Sequence, residues 1–172
     1  MSLHLILQTL QHNPLAAAVR GESDPIQITT WFFPIIETLH VLSIAVVFGS
    51  IFMVDIRLLG LTERDGTVSQ ISREILPYTW TAFGCAALTG SLLFLSKAEQ
   101  YFHNLQFELK FLFMFLAGVN MLIFHRGVYR HVLDWEQATR PPLGARVAGG
   151  LSIALWIAVI FMGRWIGFTT NV

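Results

Sequence analysis

The chain has 172 residues, a formal net charge of zero and one cysteine, with 54% hydrophobic and only 13% charged residues. That length holds one domain, and a charged share about half the usual one excludes a soluble globular domain. The balanced charge leaves no basic face for nucleic acid, and the lone Cys85 leaves no internal disulfide or multi-cysteine zinc site.

The first stretch, MSLHLILQTLQHNPLAAAVRGESDP, lacks the basic start of a signal peptide, and Gln8, Gln11 and His12 interrupt its apolar run. Leu3, Ile6, Leu7 and Leu10 recur at helical spacing with Gln8 and Gln11 opposite. This predicts a short amphipathic interfacial helix over 2–12, lying on the membrane surface. Asn13-Pro14 ends it, and 21–25 reads as a turn, so that residues 1–30 form an interfacial segment ahead of a domain over 31–172.

Four apolar spans follow, at about 31–59, 76–97, 106–124 and 147–168. Each is close to or above the roughly 20 residues that cross a bilayer. Backbone groups in lipid must bond internally, which makes the spans helices. Tight loops make neighbours antiparallel, so the expected fold is an all-α integral membrane protein, an up-down-up-down four-helix transmembrane bundle. Arg57, Arg64 and Arg73 lie in the first loop, and Arg126, Arg130, Arg140 and Arg146 in the third. By the positive-inside rule both termini face outward, toward the periplasm if the membrane is a bacterial inner membrane. Trp31, Tyr78, Trp80, Tyr101 and Trp165 sit near span ends as an aromatic belt would. Gly49, Gly84, Gly90, Gly118, Gly149 and Gly150 fall within spans, where they allow close helix packing or leave room for a flat ligand.

Ionisable residues inside a membrane are costly and tend to be functional. At a rise of about 1.5 Å per residue they sort into two layers. Glu37, His40, Lys110 and Arg164 form an outer group with His103 above it, and Asp55, Arg57, His125 and Arg126 form an inner group. His40 and His125 are some 20 Å or more apart in depth, too far to share a metal. Glu37 and His40, three apart on one helix face, suit an oriented metal ligand, a proton relay or a structural polar pair. The ligand that fits this pattern best is a non-covalent haem b, since no CxxCH is present. His40 would be the axial ligand, Lys110 or His103 a second ligand or propionate contact, and Arg164 a propionate partner. Met53, Met114, Met121 and Met162 are single soft groups better suited to packing. His125 reads as an interfacial histidine, or a ligand only if a second site exists, and Asp55 as a partner for Arg57 or Arg126.

The segments ETLHVLSIAVVFGSIFMVDIRLLGL, FELKFLFMFLAGVNMLIFH and GGLSIALWIAVIFMGRWIGF resemble an uncharacterised family of small bacterial four-span membrane proteins, over about residues 31–168. A histidine in an LHV context in the first span, and a lysine opening a later span that ends in histidine, are more distantly similar to HemJ-type protoporphyrinogen oxidases and CopD-type copper-resistance membrane proteins. The first of these resemblances implies a b-type haem at His40 and Lys110. The stretch VVFGSIFMVD departs from the tryptophan-glycine, aromatic-rich pattern that follows the histidine in that group.

The expectation is electron transfer between membrane quinone and an outer-side partner. Its rivals are a cofactor-free subunit of a larger complex or of a homo-oligomer, a copper or proton transporter, and a tetrapyrrole-oxidising enzyme. A copper path would want closely spaced Met and His ligands, and a transporter more polar lines or an internal repeat.

Overall fold

A computed structural model describes residues 3–21, 31–62, 67–136, 138 and 140–169, and all regular structure among them is helical. In chain order come α1 (Leu3–Gln11), α2 (Pro14–Arg20), α3 (Phe32–Leu58), α4 (Val68–Ser96), α5 (Ala98–Phe102), α6 (Leu105–Arg126), a 3-10 turn (Val128–His131), α7 (Val132–Trp135) and α8 (Leu143–Thr169). The helices α3, α4, α6 and α8 are long and apolar enough to cross a membrane. The 27 residues of α3 reach about 40 Å, beyond the roughly 30 Å of hydrocarbon. Their outward faces carry Leu88 and Phe115 at 71% and 67% exposure, which water would penalise and lipid accepts. The protein is an all-α multi-pass membrane bundle.

Two span helices begin earlier than hydropathy alone suggests, because polar signals start them outside the apolar stretch. The α4 helix starts at Val68 rather than near residue 76, since the Thr67 side chain accepts from the Gln70 N–H at 3.2 Å. Pro77 then sits inside the helix where it turns apolar. The α8 helix starts at Leu143 rather than near 147, directly after Pro141-Pro142, with the Pro142 carbonyl accepting from Ala145 and Arg146. Asn104 does two jobs for α6: its Oδ1 accepts from the Phe107 N–H (3.1 Å), and its Nδ2 donates to Thr169 Oγ1 (2.8 Å). The start of α6 is thereby tied to the end of α8.

The N-terminal segment is helical where the amphipathic spacing predicted, and it packs against one end of the bundle. Asn13 ends α1 and also caps α2 by accepting from the Leu15 N–H at 3.0 Å. Gly21, at φ 79°, closes α2 in the left-handed region that glycine favours; the rest of the expected turn, 22–25, lies outside the described residues. Helix α1 packs on α5, and α2 packs on α4 and α3. Leu7, Ala16 and Val19 are buried there, and Arg20 donates to the carbonyls of Gln11 (2.8 Å) and Ser96 (3.1 Å). The two short helices therefore cap one end of the bundle, termed the outer end.

The spans pair as α3 with α4 and α6 with α8, and α3 against α8 joins the two pairs. Gly149 makes that junction close: a Cβ there would stand 3.0 Å from the Asp55 carbonyl oxygen and 3.1 Å from Leu58 Cβ. Val47 and Val159 are buried further along the same two helices. Helices α4 and α6 stand apart, and the space between them, floored by α3 and α8, divides into an outer and an inner cavity.

Candidate functional site

The outer cavity measures about 270 Å³. Glu37 and His40 of α3, Lys110 of α6 and Arg164 of α8 all line it, so four residues from three helices meet where depth along the helices placed them. His103 stands outside. It is exposed beyond the end of α5, edge-on to Phe102 with ring centroids 5.6 Å apart, and is not among the lining residues. Depth placed it above the outer group, and the end of α5 keeps it outside the cavity.

His40 is held by α4. Its Nδ1 lies 3.0 Å from Thr89 Oγ1, and that hydroxyl donates its own proton to the Cys85 carbonyl at 2.7 Å. Thr89 is thus left to accept from His40 Nδ1–H, and Nε2 carries the lone pair. One residue on, Gly90 gives the imidazole its place: a Cβ there would stand 2.8 Å from His40 Cε1. Gly163 does the same for the lysine, with Lys110 Nζ 3.4 Å from where a Cβ would be. Arg164 lies over the Phe168 ring, 5.7 Å from its centroid.

The outer wall is aromatic. Phe94 and Phe107 stack at 5.4 Å and 16°, and Tyr101 lies 5.8 Å from Phe107 at 12°, so that α4, α5 and α6 present three nearly parallel rings. Burial first, and then the Glu37 carboxylate, push the Tyr101 phenol above its usual range. The sequence reading missed Thr89 and this ring wall, and it did not tie Gly90 to His40. Gly90 stood only among six span glycines that allow packing or leave room for a flat ligand, and the Thr-Gly pair at 89–90 is the signal that was available.

The inner cavity, about 310 Å³, is mainly apolar. Asp55 and His125 line it, whereas Arg57 and Arg126 do not. The expected pairing of Asp55 with an arginine does not occur: no ion pair joins the two, and Arg57 Nη1 donates to the Thr62 carbonyl at 2.7 Å. At 5% exposure Asp55 is buried, and its Oδ2 has no hydrogen-bond partner. An unmet buried polar atom costs about 1–3 kcal/mol. His125 Nδ1 meets the Met121 carbonyl at 2.9 Å, one helical turn back, and the ring packs 4.9 Å from Tyr129. Among the described residues, no three His, Cys, Asp or Glu side chains are grouped to hold a metal ion.

No curated protein and no solved structure matches the chain. A family model covers residues 30–169, all four spans and both cavities, and the chain therefore belongs to DUF6644, a family of unknown function.

Proposed function

We propose that the chain is a b-type haem membrane protein that passes electrons between membrane quinone and a partner at the outer face. The observation that carries this reading is His40, whose Nδ1–H is committed to Thr89 and whose Nε2 lone pair is left for a metal, in a cavity shared with two cations. Thr89 fixes the tautomer, and Gly90 gives the ring its room. Lys110 and Arg164 offer positive charge to two propionates, with Lys110 also the remaining candidate for a second ligand. The Phe94, Tyr101 and Phe107 rings offer a flat apolar wall. When bound, the haem supplies a one-electron redox couple. The distant likeness to HemJ-type proteins, carried by His40 and Lys110, points the same way. The arginines on the inner loops orient both termini toward the periplasm in a bacterial inner membrane.

The test is the absorption spectrum of the detergent-purified protein, oxidised and then dithionite-reduced, beside His40→Ala. A Soret band and a sharp reduced alpha band, both lost in the variant, are expected. A well-folded protein with no visible absorbance overturns the reading.

A second reading, a cofactor-free subunit of an oligomer or larger complex, draws on Gly49 and Gly84. A Cβ at either would meet nothing within 4 Å, so α3 and α4 carry small residues on open faces where another helix can approach. A colourless protein whose particle mass in detergent exceeds one chain would favour it.

A further inference from the structure

The inner cavity holds a feature that the haem reading does not use. Asp55 is buried in a spanning helix, lines a mainly apolar cavity, and its Oδ2 has no hydrogen-bond partner. No charged side chain among the described residues joins it there. Arg57 turns to the Thr62 carbonyl, and Arg73, Glu74, Arg126, Arg130 and Arg146 on the neighbouring elements are exposed outside the cavity. His125 and Tyr129 are the other titratable groups of the lining. A carboxyl placed in this way avoids an uncompensated charge in two states: with a proton on it, or with a cation against it.

The rest of the lining decides which cation fits. Trp80 and Phe83 of α4 meet edge to face with centroids 6.2 Å apart, and Trp156 of α8 and Tyr129 of the 3-10 turn add two more rings. Ring faces attract cations, most strongly where water is excluded. Ser72 and Tyr129 bring hydroxyls, which can hydrogen-bond a carboxylate but carry no charge to balance it. A metal ion would have to shed its water for a single carboxylate, since no three His, Cys, Asp or Glu side chains among the described residues are grouped to replace it. A delocalised organic cation holds little water and matches both the charge and the rings. A volume of about 310 Å³, at the small end for ligand pockets, takes one flat aromatic cation. The gap between α4 and α6 lets it enter from lipid.

We infer that the inner cavity binds a lipophilic aromatic cation in exchange for the Asp55 proton. The cation settles against the carboxylate, the carboxyl proton leaves to solvent, and the net charge of the site is unchanged. None of its lining residues belongs to the His40 cavity, so the exchange needs no haem and stands or falls separately from it.

The test uses the full chain in nanodiscs of zwitterionic lipid, with empty nanodiscs subtracted. The probe is tritiated N-methyl-4-phenylpyridinium, a permanent cation whose own charge does not change with pH, and binding is read by equilibrium dialysis from mildly acid to mildly alkaline pH. The expected result is saturable binding that strengthens as pH rises, by up to tenfold per pH unit, because proton and cation compete for one carboxyl. Asp55→Asn should weaken binding tenfold or more and flatten the pH dependence, and His125→Gln should keep both. Gly118→Leu fills the cavity from α6, where a Cβ meets nothing within 4 Å, and should weaken binding tenfold without a clash. The uncharged 4-methylbiphenyl, of the same shape, should not compete. Partition without saturation, equal competition by 4-methylbiphenyl, a flat pH dependence in wild type, or binding indifferent to Asp55→Asn would each overturn the inference. So would a pH dependence lost in His125→Gln and kept in Asp55→Asn. If Asp55→Asn does not fold, the wild-type pH dependence and the uncharged competitor still decide.

Discussion

The outer and inner halves of the bundle share a floor, α3 against α8, and share walls, α4 and α6, yet they solve opposite problems. The outer cavity gathers Glu37, His40, Tyr101, Lys110 and Arg164 near the capped end, where charges can balance one another. The inner cavity is mainly apolar and keeps a buried carboxyl that no cation meets. A polar cluster with both signs of charge is a cheap thing to build near a membrane surface. A lone acceptor deeper in the bundle is not, and it persists where a ligand compensates it. One scaffold therefore holds a polar, charged cavity and a mainly apolar one.

The common floor is where the comparison breaks most easily. Gly149 lets α8 lie against α3 beside Asp55. Gly149→Val would force the two helices apart at the inner half and destabilise the bundle by about 1–3 kcal/mol, read as a lowered unfolding midpoint in detergent. The change lies beside Asp55 in the inner half and away from His40, so haem content should be kept. Loss of haem in step with stability would mean that the halves are not separable.

Gly90→Ala sharpens the comparison from the other side. The new methyl would lie against the His40 ring and push Nδ1 off Thr89. Losing a positioning bond of this kind lowers haem affinity about tenfold, equivalent to about 1.4 kcal/mol. Haem retention during dilution in detergent measures it, and the inner cavity should show no change. Thr89→Val, which removes the acceptor but keeps the shape, should reproduce most of the loss. A normal haem affinity in both variants would remove Thr89 and Gly90 from the account of His40.

These residues also show what the sequence made legible. The four spans could be read because lipid imposes long apolar helices, and the outer cluster because rise per residue fixes depth. Depth says nothing about direction around a helix axis. Arg57 therefore fell into the same inner group as Asp55, although its guanidinium turns to Thr62 and the carboxyl lines the inner cavity. His103 stands outside the cavity for a related reason: it closes the five-residue α5, one residue before the cap of α6, and that short helix leaves no hydropathy signal. The starts of α4 and α8 were legible only through Thr67-Val-Ser-Gln70 and Pro141-Pro142, which a count of apolar residues passes over. Thr89 had no readable role, since its partner on α3 is 49 residues away.

The smallest expected effect probes the electrostatics of the outer half alone. Tyr101 lies outside the spans, and its phenol is raised first by burial and then by the charge of Glu37. Glu37→Gln removes the second cause and leaves the first, so the phenol should titrate at lower pH than in wild type and still above a free tyrosine. The sign for stability follows. The folded state holds the phenolic proton more tightly than the unfolded chain does, so stability is intact below the unfolded tyrosine value and declines as pH rises through the folded one. The decline starts at the same pH in both but should end at lower pH in the variant, because its folded value is lower, so the variant loses less in total. Tyrosinate absorbance during an alkaline titration, with Tyr101→Phe subtracted to remove Tyr78 and Tyr129, reports the shift directly. An unchanged titration would mean that solvent and headgroups screen Glu37 from the ring wall. The outer cavity would then lose its carboxylate as a working member and keep only His40 and the two cations.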